Sequence, residues 1–307
     1  MNYAGCSLLK PLMPPNNNNL TSALSRQMRR LRLQVDRIDL KMLQLLQQRT
    51  KLSGQIGKMK RRHGAVIYVP EREHELVSRL IRLSKGAPSA RVVAALYREI
   101  LSSSRAAQGQ KPIGLLRARA PIVLPASRAC FGACAEFSPK KTWAELVKGL
   151  DTGALSLALL TGDDLMAALR TPRWRSEFSS RLTVAGDFPP VSDSNAPLAQ
   201  RIFIVTPRRN EAAAGVDQML VLIVCNSTAN AIKSLLHSMS DFPIHAEQLT
   251  CRPAPVRKGL ALALARLTMV RPVNANRATS RLLAAGKSAD IPVSILGTYP
   301  GTDAYGG

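Results

Sequence analysis

Leu31-Arg32-Leu33-Gln34-Val35-Asp36-Arg37-Ile38-Asp39-Leu40-Lys41-Met42-Leu43-Gln44-Leu45-Leu46-Gln47-Gln48-Arg49 decides how the first third of the chain folds. Read on past Arg49, the apolar positions Leu31, Val35, Ile38, Met42, Leu45, Leu46, Leu52, Ile56 and Met59 recur three, four or more residues apart. That recurrence is one stripe of an α-helix. From Leu24 to Arg62 there is no proline, and glycine stands only at Gly54 and Gly57. The pattern predicts a helix of about 35–40 residues, roughly 55 Å long. No single small domain is that wide. Pairing with a second copy through this helix is the simplest way to cover the stripe.

His63-Gly64 ends the helix, and Val66-Ile67-Tyr68-Val69 reads as a short connector. Pro70 suits the first position of a second helix, with Glu71 and Glu73 at its positive end. That helix is expected to reach Lys85. Gly86-Ala87-Pro88-Ser89 is a turn with Ser89 as candidate N-cap, and a third helix is expected from Ala90 to Gln108.

These helices carry two cationic clusters and one polar pair. Arg49 and Lys60 are eleven residues apart, which places them within about 20° of one face. Arg32 lies 17 residues before Arg49, about 25 Å along the axis and about 100° around it. It cannot easily serve the same pocket on its own chain, but in a crossed dimer it could serve the partner's. Arg72-Glu73 opens the second helix, and Ser104 and Gln108 stand one turn apart on the third. Together they read as a pocket for a small dicarboxylate inside a helical bundle. Spacing alone also fits solvated surface cations, helix-start charges, a back-bonded serine and a frayed glutamine.

The chain has 307 residues and is 46% apolar, enough for two or three domains with real cores. Its net charge of +23 attracts polyanions and anionic substrates alike. Aromatics are scarce at 4% and no nucleic-acid motif is present, so a basic nucleic-acid-binding protein remains only the alternative reading of this charge. The five cysteines (Cys6, Cys130, Cys134, Cys225, Cys251) are scattered and odd in number, which fits a reducing cytoplasm better than a disulfide framework. Cys130 and Cys134 have no histidine nearby in sequence, so neither a metal nor a cofactor is expected. No apolar run reaches the ~20 residues of a membrane span. Tyr3-Ala4-Gly5-Cys6 only faintly resembles a lipoprotein cleavage box, because no basic and apolar segment precedes it.

The residues quoted above follow a known pattern. Leu31 to Asp39, Leu45 to Arg49, Ile56 to Lys60, Pro70-Glu-Arg-Glu73 and Ser104-x-x-x-Gln108 resemble the all-helical chorismate mutases over residues 24–108. The resemblance implies an intertwined all-α dimer with two pockets, converting chorismate to prephenate. In that pericyclic rearrangement the enzyme holds one conformer and stabilises charge on the breaking ether oxygen. By resemblance, Arg49 and the partner's copy of Arg32 hold the carboxylates. Lys60 and Gln108 donate to the ether oxygen, Glu73 accepts from the ring hydroxyl, and Arg72 and Ser104 shape the pocket. Val69 is a departure, since many relatives place Asp there.

The remainder alternates strand-like and helix-like runs. Strands are expected at Ile122-Val123-Leu124, Leu155 to Leu160 and Arg201 to Val205, and helices at Thr142 to Leu150 and Asp163 to Leu169. The end reads strand (Met219 to Val224), helix (Ala229 to Met239), strand (Ile244 to Arg252), strand (Leu260 to Leu267), helix (Asn274 to Ala285), strand (Val293 to Leu296), a ferredoxin-like order. Asp217 to Val224, Leu249 to Pro253 and Ile295 to Pro300 resemble the ACT domain attached to prephenate dehydratases. The ligand motifs of that domain are altered here to Thr250-Cys251-Arg252-Pro253 and Ala229-Asn230-Ala231. Phe131 to Leu165 resembles part of a dehydratase lobe. Leu159-Leu-Thr-Gly162 stands in place of a Pro-Ile-Glu-Asn motif, and Gln200 replaces the catalytic Thr before Arg201-Ile202-Phe203.

The expected architecture is therefore multidomain. A disordered lead-in (1–22) precedes an all-α three-helix mutase domain (23–109) and a linker (110–120). A degenerate α/β dehydratase-like lobe (121–210) and an α+β ferredoxin-like ACT domain (215–302) follow. Dehydratase activity is expected to be absent. By analogy, the ACT-like unit is the surface that would raise a dimer to a tetramer.

Overall fold

The computed structural model describes residues 17–190, 200–208, 216–225, 244–253 and 261–300, together with positions 230, 233, 234 and 237. The expected lead-in over 1–16 and the Ala229 and Ala231 positions of the altered ligand motif lie outside the described residues. The chain divides into two compact units, residues 1–51 and 52–307.

Helix α1 runs Asn17–Arg62, 46 residues, so it starts before the expected Leu24 and takes in the end of the expected lead-in. After Pro15 nothing in the chain forbids helix, and the Asn run is tolerated at a helix start. In the first unit the apolar stripe is uncovered: Ile38 is 56% exposed and Leu45 63%.

In the second unit, α1 ends on Lys60, Arg61 and Arg62, cations at the negative end of the helix. Helices α2 (Pro70–Ser84) and α3 (Ala90–Gln108) pack through Val77, Ala94 and Leu101, flanked by Leu76, Ile81 and Tyr97. Ser89 stands at the N-cap of α3 with extended backbone, but its side chain makes no capping bond. Gly109, at φ +82°, ends α3 in the left-handed region, where glycine is favoured.

The stretch 110–120 is not a bare linker. It contains strand β1 (Ile113–Leu116) and a single 3-10 turn at Arg117–Arg119. The α/β lobe therefore begins at Ile113. Ile122-Val123-Leu124, expected as a strand, lies in helix α4 (Ala120–Phe131). Three apolar residues cannot distinguish the two states, and Pro121 at the start of the run suits a first helical turn.

Next come β2 (Phe137–Lys140), α5 (Trp143–Asp151), β3 (Leu157–Thr161), α6 (Gly162–Leu169), α7 (Pro172–Ser180), β4 (Leu182–Phe188) and β5 (Ile202–Pro207). The five strands form one mixed sheet, order β2-β1-β3-β5-β4. β1 is parallel to both neighbours, whereas β5 is antiparallel to β3 and β4. Alternate residues serve the two faces. Leu157, Leu159, Ile202 and Ile204 pack with α4, while Ala158, Leu160, Phe203 and Val205 pack with α5, α6 and α7.

A second, antiparallel sheet follows, of β6 (Val216–Cys225), β7 (Ile244–Pro253), β8 (Ala261–Val273) and β9 (Val293–Tyr299), in the order β7-β8-β6-β9. Helix α8 (Ala275–Ser288) covers one face through Ala278, Leu282 and Ala285. The other face presents Leu220, Leu222, Leu262 and Leu264 to the lobe's core. Gly297 lies so close to the Val184 carbonyl that any Cβ would overlap it. The two sheets thus share one hydrophobic core.

α1 approaches α3 through small residues. A Cβ on Gly57 would sit 2.5 Å from the Cα and carbonyl oxygen of Gln108, whereas one on Gly54 would meet only the Ala107 carbonyl at 3.7 Å. Either alanine gains helix propensity of about 1 kcal/mol. At Gly57 that gain is outweighed by backbone overlap, worth about 1–3 kcal/mol. Gly57→Ala is expected to lower the urea midpoint and Gly54→Ala to raise it, read from equilibrium unfolding of the two variants.

Candidate active site

Helix α3 brings three polar residues of interest together near its end. Ser104 is buried, and its hydroxyl donates to the Ile100 carbonyl at 2.7 Å, a back-bonded geometry. Gln108 keeps its side-chain oxygen buried with no hydrogen-bond donor among the described residues. Such a buried orphan costs about 1–3 kcal/mol unless something supplies the missing bond. The Gln108 main-chain carbonyl is held separately by Arg61, whose Nη1 donates to it at 2.5 Å.

The third residue, Arg105, is absent from the candidates that the sequence pattern supplies. It is 5% exposed and lies between Ser104 and Gln108. Its Nη1 donates to Glu73 Oε2 at 2.5 Å and its Nη2 to the Phe131 carbonyl at 2.7 Å. The guanidinium lies 5.8 Å from the ring centre of Tyr68 and 5.9 Å from that of Phe131, within cation–π range. A signal is present in the sequence. Arg105 follows Ala94 by eleven residues and Leu101 by four, which puts it on the apolar face of α3 that those two residues define. An arginine on an apolar stripe asks for a buried partner.

Glu73 sits in the first turn of α2, its side chain 18% exposed, so the ion pair is shielded but not sealed. Lys60 is half-buried and its Nζ donates to the Ile67 carbonyl at 3.0 Å, across the turn that leads from α1 to α2. Arg72, next to Glu73, is exposed. Val69 takes the N-cap position of α2 with extended backbone (φ −132°, ψ 90°) and no side-chain bond to the helix start. In the other unit, Arg49 is half-buried and Arg32 exposed on α1. The structure thus gathers Glu73, Arg105 and the connector residue Tyr68, with Ser104 and Gln108 on the same helix as Arg105.

Three residues of one α3 stripe, Glu99, Ser102 and Arg105, bond to the main chain where α4 ends. Ala133 N donates to Glu99 Oε2 at 2.9 Å, and Cys134 N to Ser102 Oγ at 3.1 Å. Gly132, at φ +78°, fits this seam because a Cβ would lie 2.6 Å from the Ser102 Cβ. Nearby, burial pushes the Cys130 thiol up to about 12 in spite of the Arg105 charge.

In the lobe, Thr161 is the N-cap of α6, accepting from Asp164 N at 3.2 Å, while Arg119 pairs with the Asp164 carboxylate at 3.1 Å. Gln200 is exposed. The Arg201 beside it is fully buried against Asp187, which also receives Arg266 Nη1 from β8 at 3.2 Å.

Residues 31–109 match the family model of chorismate mutase type II. Residues 31–109 are therefore a chorismate mutase type II domain. The chain is also similar to bifunctional chorismate mutase/prephenate dehydratases. With that of Aquifex aeolicus it shares 31% identity over 130 residues, 41% of this chain and 36% of the relative. With that of Pseudomonas aeruginosa strain PAO1 it shares 27% over 139 residues, 44% of this chain and 38% of the relative. The matches thus span a little over a third of the length of these relatives. Among solved structures, prephenate dehydratase from Streptococcus mutans aligns with 62% of this chain and 98% of its own, at 14% identity and a TM-score of 0.40. No helix among the described residues is long and apolar enough to cross a membrane.

Two outcomes follow from this geometry. Val69→Asp places an acceptor at the bare N-cap of α2 and is expected to stabilise the protein by about 1 kcal/mol, read as a higher urea midpoint. Burial keeps the Cys130 thiol protonated at pH 8. Iodoacetamide on the folded protein is therefore expected to label exposed Cys134 and spare Cys130, read by peptide mass mapping.

Proposed function

We propose that this chain rearranges chorismate to prephenate in aromatic amino-acid biosynthesis, acting as an isomerase without cofactor or metal. The observation that carries the reading is the chorismate mutase type II match over residues 31–109, a span that holds every proposed site residue. Arg49 and the partner's copy of Arg32 would grip the two carboxylates, each guanidinium offering a planar fork of donors. Lys60 and Gln108 would donate to the ether oxygen as its bond breaks, where a preorganised donor counts most. Glu73 would accept from the ring hydroxyl, with Arg72, Ser104 and the Val69 main chain lining the pocket. No proton transfer or nucleophile is required of these residues. Their work is to hold one conformer and complement its growing charge.

The same reading asks for a homodimer through α1. Its support is the uncovered stripe, in which Leu31, Val35, Ile38, Met42 and Leu45 are each at least half exposed. Contiguous apolar surface on that scale calls for a partner. The second sheet, whose described elements run strand–strand–strand–helix–strand, we read as a ferredoxin-like ACT domain able to pair edge to edge. The lobe we read as having lost prephenate dehydration. Gln200 stands where the resemblance expects a catalytic Thr, and Arg201 is committed to Asp187.

The decisive assay follows the loss of chorismate absorbance with the full chain and separates the products. Wild type is expected to yield prephenate. Lys60→Ala is expected to lose about 10²–10³ in kcat, the scale of one lost oxyanion donor. Arg32→Ala is expected to lose turnover as well. Folded wild-type dimer without turnover refutes the mutase reading, and phenylpyruvate above the spontaneous rate refutes the loss of dehydration.

A further inference from the structure

Arg105 has no place in the resemblance, and its side-chain hydrogen bonds go to Glu73 and the Phe131 carbonyl. We infer that Arg105 is a positioning residue of the mutase site, which orients Glu73 and takes its own orientation from the α/β lobe; this deepens the mutase reading and rests on it. Three observations carry the inference.

First, the ion pair is one-sided. Arg105 Nη1 engages Glu73 Oε2, and the other oxygen, Oε1, has no hydrogen bond among the described residues. The Glu73 side chain is 18% exposed, so the carboxylate is not sealed from a small ligand. A carboxylate held by one oxygen presents the other in a fixed direction, ready to accept from a hydroxyl. Without the guanidinium, Glu73 would sample several rotamers, and a ligand would have to order it on binding.

Second, Arg105 is itself fixed from outside the helical domain. Its Nη2 is bound to the Phe131 carbonyl at the end of α4. The rings of Tyr68 and Phe131 both lie within 6 Å of its charge. Arginine bonds Glu73 through one nitrogen of its planar fork and that carbonyl through another, a fixed geometry that the rotating ammonium of a lysine does not impose.

Third, the seam is built as a unit. Glu99 and Ser102, on the same stripe of α3, hold the next two main-chain amides of the lobe, those of Ala133 and Cys134. The lobe is thereby in register with α3, and Arg105 is the residue through which that register reaches Glu73. Glu73 is fixed only while the lobe is docked.

The test uses the full chain as wild type, Arg105→Met, Arg105→Lys, Glu73→Gln and the double variant Arg105→Met/Glu73→Gln. Each is assayed for chorismate turnover and titrated with chorismate by calorimetry. If Arg105 acts through Glu73, Arg105→Met lowers kcat/KM about tenfold or more, and the double variant loses no more than Glu73→Gln alone. Arg105→Lys, which keeps the charge, recovers part of the loss and also guards the test should Arg105→Met fail to fold. Its effect, too, is expected to vanish in a Glu73→Gln background. Multiplying losses in the double variant, or Arg105→Met within twofold of wild type, overturns the inference while leaving the mutase reading intact. A folded wild type that neither turns over nor binds chorismate overturns both.

Discussion

A buried guanidinium has to be answered, and the helical domain is arranged around answering Arg105. Taking such a charge out of water costs several kcal/mol, repaid only by good geometry and full hydrogen bonding. Arg105 receives a carboxylate from α2, a carbonyl from the end of α4 and two aromatic faces. A pair of apolar residues would fill the same space at similar or better stability. What apolar residues could not do is fix the direction of a carboxylate. The position of the charge, between Ser104 and Gln108 and opposite Glu73, is therefore better explained by the site than by the core.

A second buried charge works differently. Asp187 on β4 accepts from Arg201, of its own sheet's loop, and from Arg266 on β8 of the other sheet. Burial first, and the Asp187 charge second, push the Tyr299 phenol well above its ordinary range, so it stays neutral. Around this cluster the contact between sheets is apolar: Leu220, Leu222, Leu262, Leu264 and Leu296 meet Val184, Phe203 and Val205. Arg266 links the sheets by charge where Gly297 lets the main chains touch. Lobe and second sheet therefore form one body, unlike a pair of domains on a flexible linker.

Much of the architecture is legible in the sequence because its signals are long. The stripe from Leu31 to Met59 can only be a helix, and Pro70 and Gly109 mark ends that the structure keeps. Short elements are harder to see. β1 has four residues and falls inside the expected linker, and Ile122-Val123-Leu124 is helical. β4 escapes a propensity reading because Gly186 and Asp187 are poor strand formers, yet Asp187 is there for its charge and Gly186 flanks a register shift against β5. In the site, residues of familiar type at motif positions can be named in advance. Arg105 cannot, since one more cation in a strongly basic segment looks like solvated surface. Only packing shows which cation has been taken inside.

The helical domain's own core is small: the buried cluster between α2 and α3 is Val77, Ala94 and Leu101, and Val93 is the other buried apolar side chain of α3. The larger of these side chains contribute about 1.5–3 kcal/mol each and Ala94 less, little against the entropy of ordering helices of this length. The domain must draw stability from elsewhere, and two sources are visible. One is the stripe of α1, where several Leu-sized side chains stand open and a partner of the kind proposed would cover them. Burying them would contribute as much as the whole net stability of an ordinary domain. The other is the lobe, which reaches into the helices through Phe131 and the main chain of residues 131–134. The contact works in both directions: the lobe adds packing to a small helical core, and it holds α3 and, through Arg105, Glu73.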